Sequence, residues 1–272
     1  MAHSTIRPEI LRYYEGTQEA DRLASPLFRW ERVRTLDLLH RFLPPAPAHI
    51  LDVGGAAGAY AFHLAGMGYS VDLIDPVPLH IEQAKARAAR EQAAPRSFQL
   101  GDARAIPCED AAADAVLMLG PLYHLTDLKE RLRAIREAHR VLRLGGILMA
   151  AAISRFASML DGMTRGFILD PQFQPIVEQD LETGQHRNET GRVDYFTTAF
   201  FHHPDELRDE LAQGGFEGPR ICAIEGPVWT APVPANEGDR ERFMALMRGI
   251  EEEETLLGAS AHVMAIGTKS IV

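Results

Sequence analysis

The chain is poor in cysteine, has no excess of positive charge and contains no long apolar run. Its 272 residues hold two cysteines, Cys108 and Cys222, too few and too far apart for a disulfide framework or a cysteine-rich zinc site. No His-Glu-x-x-His pattern is present, and the adjacent His202 and His203 point to opposite faces of an extended chain, so no metal is expected. No stretch approaches the ~18 apolar residues of a membrane-spanning helix. The first thirty residues are charged throughout, unlike a secretory leader. A cytoplasmic protein without a membrane partner is therefore expected. Acids outnumber bases, 38 against 28, for a formal charge of -10. A surface that grips nucleic acid needs a basic stripe to offset phosphate charge, and none is evident. Arg131, Arg133, Arg136, Arg140 and Arg143 crowd one helical stretch, but Glu130 and Glu137 interleave with them, the pattern of a solvated helix face.

What is present is apolar and regular. Hydrophobic residues make up 46% of the chain, enough for a sizeable core in one domain, or in one domain with an insertion. A strand at 49–53 runs into Gly54-Gly55-Ala56-Ala57-Gly58. Glycine there accepts a positive φ and lets a ligand lie against the main chain. A helix over 59–65 and a second strand over 70–75 follow, the strand ending on Asp75. That acid comes 17 residues after Gly58, where a βαβ unit sets a carboxylate opposite the hydroxyls of a bound ribose. A third strand begins at Ser97 and ends in the turn Gly101-Asp102-Ala103, and 113–120 reads as a fourth. A helix from Leu128 to Leu142 is stopped by Gly145-Gly146, and 147–152 is a fifth strand. Such alternation, with strands apolar throughout, predicts an α/β fold with a doubly wound, mostly parallel Rossmann-like sheet.

Over 44–154, and more loosely over the last seventy residues, this pattern resembles the class I S-adenosylmethionine-dependent methyltransferases. Asp52, Gly54 and Gly58 match the family's Asp-x-Gly-x-Gly-x-Gly turn, which holds the methionine moiety. Asp75 matches its ribose acid, Asp102 with Ala103 the turn on the adenine edge, and Leu119 with Gly120 the end of strand four beside the sulfonium. The family's middle glycine is Ala56 here, with an additional glycine at Gly55. The resemblance implies S-adenosylmethionine as cofactor, S-adenosylhomocysteine as product, and a seven-stranded sheet whose last strand enters antiparallel. A nicotinamide enzyme is disfavoured, because its Gly-x-Gly-x-x-Gly spacing is absent and a second acid, Asp102, stands where an adenine amine needs an acceptor.

The same reading divides the chain into a helical lid over 1–43, the cofactor-binding core over 44–154, an inserted substrate cap over 155–201 and a completion of the core sheet over 202–272. The lid holds helices over 8–21 and 27–42. The last segment holds a helix opened by Pro204 and closed by Gly214-Gly215, a sixth strand near 219–224, a helix carrying Phe243, Leu246, Met247 and Ile250, and a last strand over 262–268. The acidic run Glu251 to Glu254 reads as a solvated helix end.

Ligands of such sheets bind beyond the carboxyl ends of the strands. His124, just past the fourth strand, is the candidate base, since imidazole accepts a proton near neutral pH. Tyr123 is expected to shape the substrate pocket. Tyr14 and Arg22 resemble the N-terminal tyrosine and arginine of small-molecule methyltransferases, which close over the methionine end, with Arg22 on the cofactor carboxylate. In the cap, Arg155, Tyr195 and Phe196 are substrate-binding candidates within an aromatic and basic mixture suited to an aromatic or carboxylated small molecule. Enzymes that methylate base amino groups resemble one another in an Asn/Asp-Pro-Pro-Tyr turn, for which this chain has Gly120-Pro121-Leu122-Tyr123, so a nucleic-acid partner is disfavoured. The expected function is transfer of a methyl group to a small-molecule oxygen or nitrogen by in-line displacement. An RNA or protein methyltransferase and a non-catalytic cofactor-binding protein are the alternatives. If Asp75 holds the ribose, Asp75→Ala weakens cofactor binding by roughly 1 to 3 kcal/mol in a protein that still folds. Unchanged affinity in calorimetry would remove the assignment.

Overall fold

A computed structural model of the protein describes residues 6–16, 29–228 and 231–270. In chain order the elements are α1 (Pro8–Gly16), α2 (Arg29–Phe42), β1 (His49–Val53), α3 (Ala59–Gly66), β2 (Ser70–Asp75), α4 (Pro78–Ala88), β3 (Ser97–Leu100), β4 (Ala113–Met118), α5 (Pro121–His124), α6 (Leu128–Val141) and β5 (Leu142–Ile153). There follow α7 (Ala157–Arg165), α8 (Gln174–Thr183), β6 (Gln185–His186), β7 (Ala199–Phe200), α9 (Pro204–Gln213), β8 (Glu217–Ala223), α10 (Glu237–Ile250), α11 (Glu254–Leu257) and β9 (His262–Thr268).

Seven strands form one sheet in the order β3-β2-β1-β4-β5-β9-β8. β1 to β5 run parallel, and β9 is antiparallel to both of its neighbours. Successive side chains of a strand face opposite sides, and here both sides are apolar. Leu51, Val53, Val116 and Leu148 meet Ile135, Ala138 and Val141 of α6 and Leu207 and Leu211 of α9. Ile50, Leu73, Leu117 and Met149 meet Leu38 and Leu39 of α2 and Phe62 and Leu64 of α3. At about 1.5 to 3 kcal/mol for each large side chain removed from water, these two layers are what hold the sheet. Strand order turns back between β1 and β4, so their carboxyl ends flank an open crevice.

Three expectations change. Gly145 and Gly146 do not stop α6, which ends at Val141. They lie inside β5 as an irregularity, since Ala113 pairs with Leu142 but Ala115 pairs with Ile147. Gly145 has φ +77°, and a Cβ on Gly146 would stand 2.9 Å from the Arg143 carbonyl oxygen, so the bulge needs glycine. The arginine-rich face of α6 is not solvated throughout. Arg131 is 3% exposed and donates to Glu210 of α9 at 2.7 to 3.0 Å. Nor is Glu251 a solvated helix end. It is 3% exposed and accepts from Arg34 at 2.5 Å and from Arg41 at 2.7 Å.

Residues 155–201 carry a small apolar cluster of their own, with Phe173, Ile176, Val177 and Tyr195. Ser158 and His186 both donate to Asp180 Oδ2, at 2.6 and 2.8 Å, which ties α7 and α8 to the β6–β7 ladder. Among the described residues, no helix is long and apolar enough to cross a membrane.

Arg34 is fully buried and donates to the Ile224 carbonyl, to Asp37 at 2.7 Å and to Glu251. It therefore pins α2 to the strand β8 and the end of α10. Removing one partner of a buried pair leaves the others uncompensated. Arg34→Leu is expected to destabilise the protein by about 3 kcal/mol or more, read as a lowered urea midpoint with an unchanged slope.

Candidate functional site

At the carboxyl ends of β1, β2 and β4 lies a cavity of about 930 Å³. Its floor is the turn 54–57, its sides are 75–77, 102–104, 119–121 and 123–125, and Arg7 just before α1 joins Ile10 and Tyr14 of α1. Of the residues expected from sequence, Tyr14, Asp52, Gly54, Asp75, Asp102, Ala103, Leu119, Gly120, Tyr123 and His124 all line it. Gly58 stands behind the floor, at φ +83°, where it turns the chain into α3. Arg22 lies outside the described residues.

The turn is built to bring backbone close. Gly54 has φ +73°, and a Cβ there would stand 2.5 Å from Pro121 Cγ. A Cβ on Gly55 would meet Leu73 Cδ1 at 2.4 Å and Asp52 Oδ2 at 2.5 Å. Ala56 takes φ +49° and is held there by its N–H, which donates to Asp75 Oδ2 at 2.9 Å.

The three strand-end acids differ in their surroundings. Asp52 is 1% exposed, and neither oxygen has a hydrogen-bond partner among the described residues. Burial, then the charge of Asp75, push its carboxyl up to about 7, against a weak opposing pull from the Ala61 main chain. Asp75 is well supplied, with Oδ1 accepting from the Val77 N–H at 2.9 Å and from His80 Nδ1 at 3.0 Å. Asp102 is gripped by its near neighbour. Arg104 donates to Oδ1 from its main chain at 2.7 Å and from Nε at 2.9 Å, and to Oδ2 from Nη2 at 2.8 Å. Its Nη1 reaches Glu130 at 2.5 Å, so this guanidinium bridges Asp102 to α6.

His124 is half-buried on the cavity wall, and desolvation pushes its imidazole down to about 4, opposed by the Thr198 carbonyl and the charge of Asp75. Nδ1 faces that carbonyl at 3.4 Å, and Nε2 lies 2.6 Å from the Tyr14 hydroxyl. In the neutral ring, Nδ1 is then the donor and Nε2 accepts from Tyr14. The sequence reading of a base that titrates near neutrality is thus corrected, because desolvation disfavours the imidazolium. Tyr123 packs edge-on to His124 at 4.7 Å.

The cap candidates do not enter the cavity. Arg155 donates to the Phe201 carbonyl at 2.8 Å and to Glu206 at 2.6 Å, so an ion pair with a part-exposed carboxylate occupies it. Tyr195 belongs to the cap's own cluster, and its hydroxyl donates to Asp170 at 2.6 Å. Phe196 stands behind His124, with ring centroids 5.9 Å apart, and meets Tyr13 at 5.4 Å.

Sequence reasoning passed over His80 and Arg104, both of which line the cavity. Each sits a few residues beyond a strand-end acid and bonds back to it, and that offset is the signal that would have found them.

These groups suit S-adenosylmethionine. A buried carboxylate with no hydrogen-bond partner among the described residues calls for a cation, the cradle at Gly54 and Gly55 has no space for a Cβ, and a second carboxylate stands at the end of β2.

Residues 50–146 match the family model of the methyltransferase domain. A ubiquinone/menaquinone biosynthesis C-methyltransferase of Ruegeria is 30% identical over 57% of this chain and 64% of its own. A 27-O-demethylrifamycin SV methyltransferase of Amycolatopsis mediterranei is 28% identical over 82% of this chain and 75% of its own. The chain spans 40 to 64% of the length of the first curated relatives it matches. A SAM-dependent methyltransferase from Methanosarcina mazei shares the fold, with a TM-score of 0.58 at 20% identity over 86% of this chain and 98% of that one. Over residues 50–146 the chain matches a methyltransferase domain, and its sheet and its turn are similar to those of the class I S-adenosylmethionine-dependent family.

Proposed function

We propose that the protein transfers the methyl group of S-adenosylmethionine to an oxygen or nitrogen of a small molecule. The observation that carries this reading is Asp52, a buried carboxylate on the cavity wall whose oxygens find no hydrogen-bond partner among the described residues. The bound cofactor supplies a methyl group already activated on a sulfonium, open to in-line displacement by an acceptor lone pair. Asp52 offsets the cofactor's positive charge, Asp75 holds the ribose, and Asp102 with Ala103 borders the adenine. Leu119 and Gly120 close the side beside the sulfonium. The lid over 1–43, through Tyr14, and the cap over 155–201, through the rings behind His124, keep water from the reacting atoms.

Tyr14 and His124 supply a route for a proton. A hydroxyl acceptor must lose its proton as it is methylated. Tyr14 takes that proton at its hydroxyl oxygen while passing its own to His124 Nε2. A base as weak as His124 suffices, because a methylated hydroxyl is a far stronger acid than imidazolium. The names of the two curated relatives give one carbon and one oxygen acceptor. A phenol set on a neutral imidazole favours an acceptor with a proton to lose.

Calorimetric titration with S-adenosylmethionine, S-adenosylhomocysteine and NADH tests the reading. Micromolar binding of the first two is expected, and binding of NADH alone, or of none, would sink it. The pH dependence has a definite sign. A cation prefers ionised Asp52, so binding lowers its pKa below the free value of about 7 and releases a proton at lower pH. Affinity for S-adenosylmethionine should rise by up to about tenfold per pH unit on approach to 7 and then level off. Asp52→Asn should weaken binding and flatten the profile. His124→Ala should lower turnover of a hydroxyl acceptor by about 100-fold while S-adenosylhomocysteine affinity stays near wild type. An equal fall in both would assign His124 to the cofactor instead.

A further inference from the structure

Two side chains that line the cavity are buried with a polar atom that finds no partner among the described residues, Asp52 and His80. Asp52 answers to a cation. His80 has no such role. Pro78 opens α4, which places His80 in the first helical turn, where its N–H donates to the Val77 carbonyl at 3.1 Å. Its Nδ1 lies 3.0 Å from Asp75 Oδ1, a carboxylate oxygen that can only accept. Nδ1 therefore carries a proton, and in the neutral form of the ring Nε2 presents a lone pair. That lone pair is buried, and leaving a buried acceptor unpaired is costly. Tyr14 stands edge-on at 5.6 Å, but its hydroxyl is directed to His124.

The capacity of Asp75 points to what His80 accepts. A carboxylate has about four acceptor positions. The N–H groups of Ala56 and Val77 and the His80 ring fill three of them, which leaves one, on Oδ2. A ribose presents two hydroxyl donors, so Asp75 cannot take both. We propose that His80 is a second protein ligand of the cofactor's ribose, accepting one hydroxyl at Nε2 while Asp75 Oδ2 accepts the other. This rests on the cofactor reading above.

The test is calorimetric binding of S-adenosylhomocysteine and its 2′-deoxy and 3′-deoxy analogues to wild type, His80→Asn and His80→Gln. Asparagine keeps an N–H near the position of Nδ1, and so the bond to Asp75, but has nothing at Nε2. Wild type is expected to bind each deoxy analogue about three- to tenfold more weakly than the parent. In His80→Asn the parent weakens by a similar factor, and for one of the two analogues the further penalty disappears. Glutamine, whose carbonyl oxygen reaches the position of Nε2, restores part of that penalty. If both penalties survive in His80→Asn at their wild-type size, His80 does not touch the ribose and the proposal falls. If wild type fails to bind S-adenosylhomocysteine at all, the cofactor reading falls first and takes this proposal with it.

Discussion

Three carboxylates, each at the end of a parallel strand or in the turn after one, are buried in a single cavity wall, and much of the surrounding structure answers to them. Charges removed from water must be matched or neutralised. Each acid meets the demand differently. Asp102 draws in Arg104 and through it Glu130 of α6. Asp75 draws main-chain N–H groups from the turn after β1 and from its own exit, then the ring of His80. Asp52 has no side-chain partner among the described residues, and burial with the charge of Asp75 raises its carboxyl to about 7. The wall is thus graded from Asp102, gripped by Arg104, to Asp52, whose oxygens have no hydrogen-bond partner among the described residues, and the proposed pose sets the groups of a sulfonium nucleoside in that order.

The walls around these acids are set by ion pairs at some distance from the cavity. Arg131 donates to Glu210 and also, at 3.0 Å, to the carbonyl of Leu125, the residue after His124. Its guanidinium lies 3.8 Å from the centre of the Phe200 ring. One buried arginine thereby fixes α9, the cap's return strand and the segment carrying His124. On the opposite side, Asp37 and Glu251 gather Arg34, Arg41 and Arg248 and hold α2 against the apolar layer over β1 and β2. Truncating one partner in either group leaves a buried charge unmatched, so residues remote from the reaction bear on its geometry.

The strands were legible because a parallel sheet covered on both faces demands continuous apolar runs, and few other structures do. The line of β9 over 262–268 and the acid ending β2 followed directly. So did nine cavity residues, because the turn and the strand ends fix where a ligand lies, while the tenth, Tyr14 on α1, followed from the family resemblance. Long-range pairing was not legible. Nothing local distinguishes Arg131 from Arg133 in α6, or Glu251 from its neighbours. Each is selected by an opposite charge 79 or more positions away in sequence. The same holds for Arg155, whose partner Glu206 is 51 residues on. Tyr195 was misplaced for a related reason, since an aromatic residue in an insertion serves a private core as readily as a pocket. The protonation behaviour of His124 was hidden because burial, not the residue type, decides it.

The departure of the turn from the family pattern has a physical reason. The position expected to be glycine is Ala56, in the left-handed region at φ +49°, where a side chain costs about 1 to 2 kcal/mol. A charge-assisted bond from its N–H to Asp75 Oδ2 offsets much of that cost. The glycine one residue earlier answers a different demand. A Cβ on Gly55 would stand 2.5 Å from Asp52 Oδ2, so any larger residue would push the carboxylate from its place. The glycine has moved to where the buried acid needs the space, and the alanine has moved to where a neighbouring acid holds its backbone. The turn is therefore specified less by a spacing of glycines than by the two carboxylates it passes between.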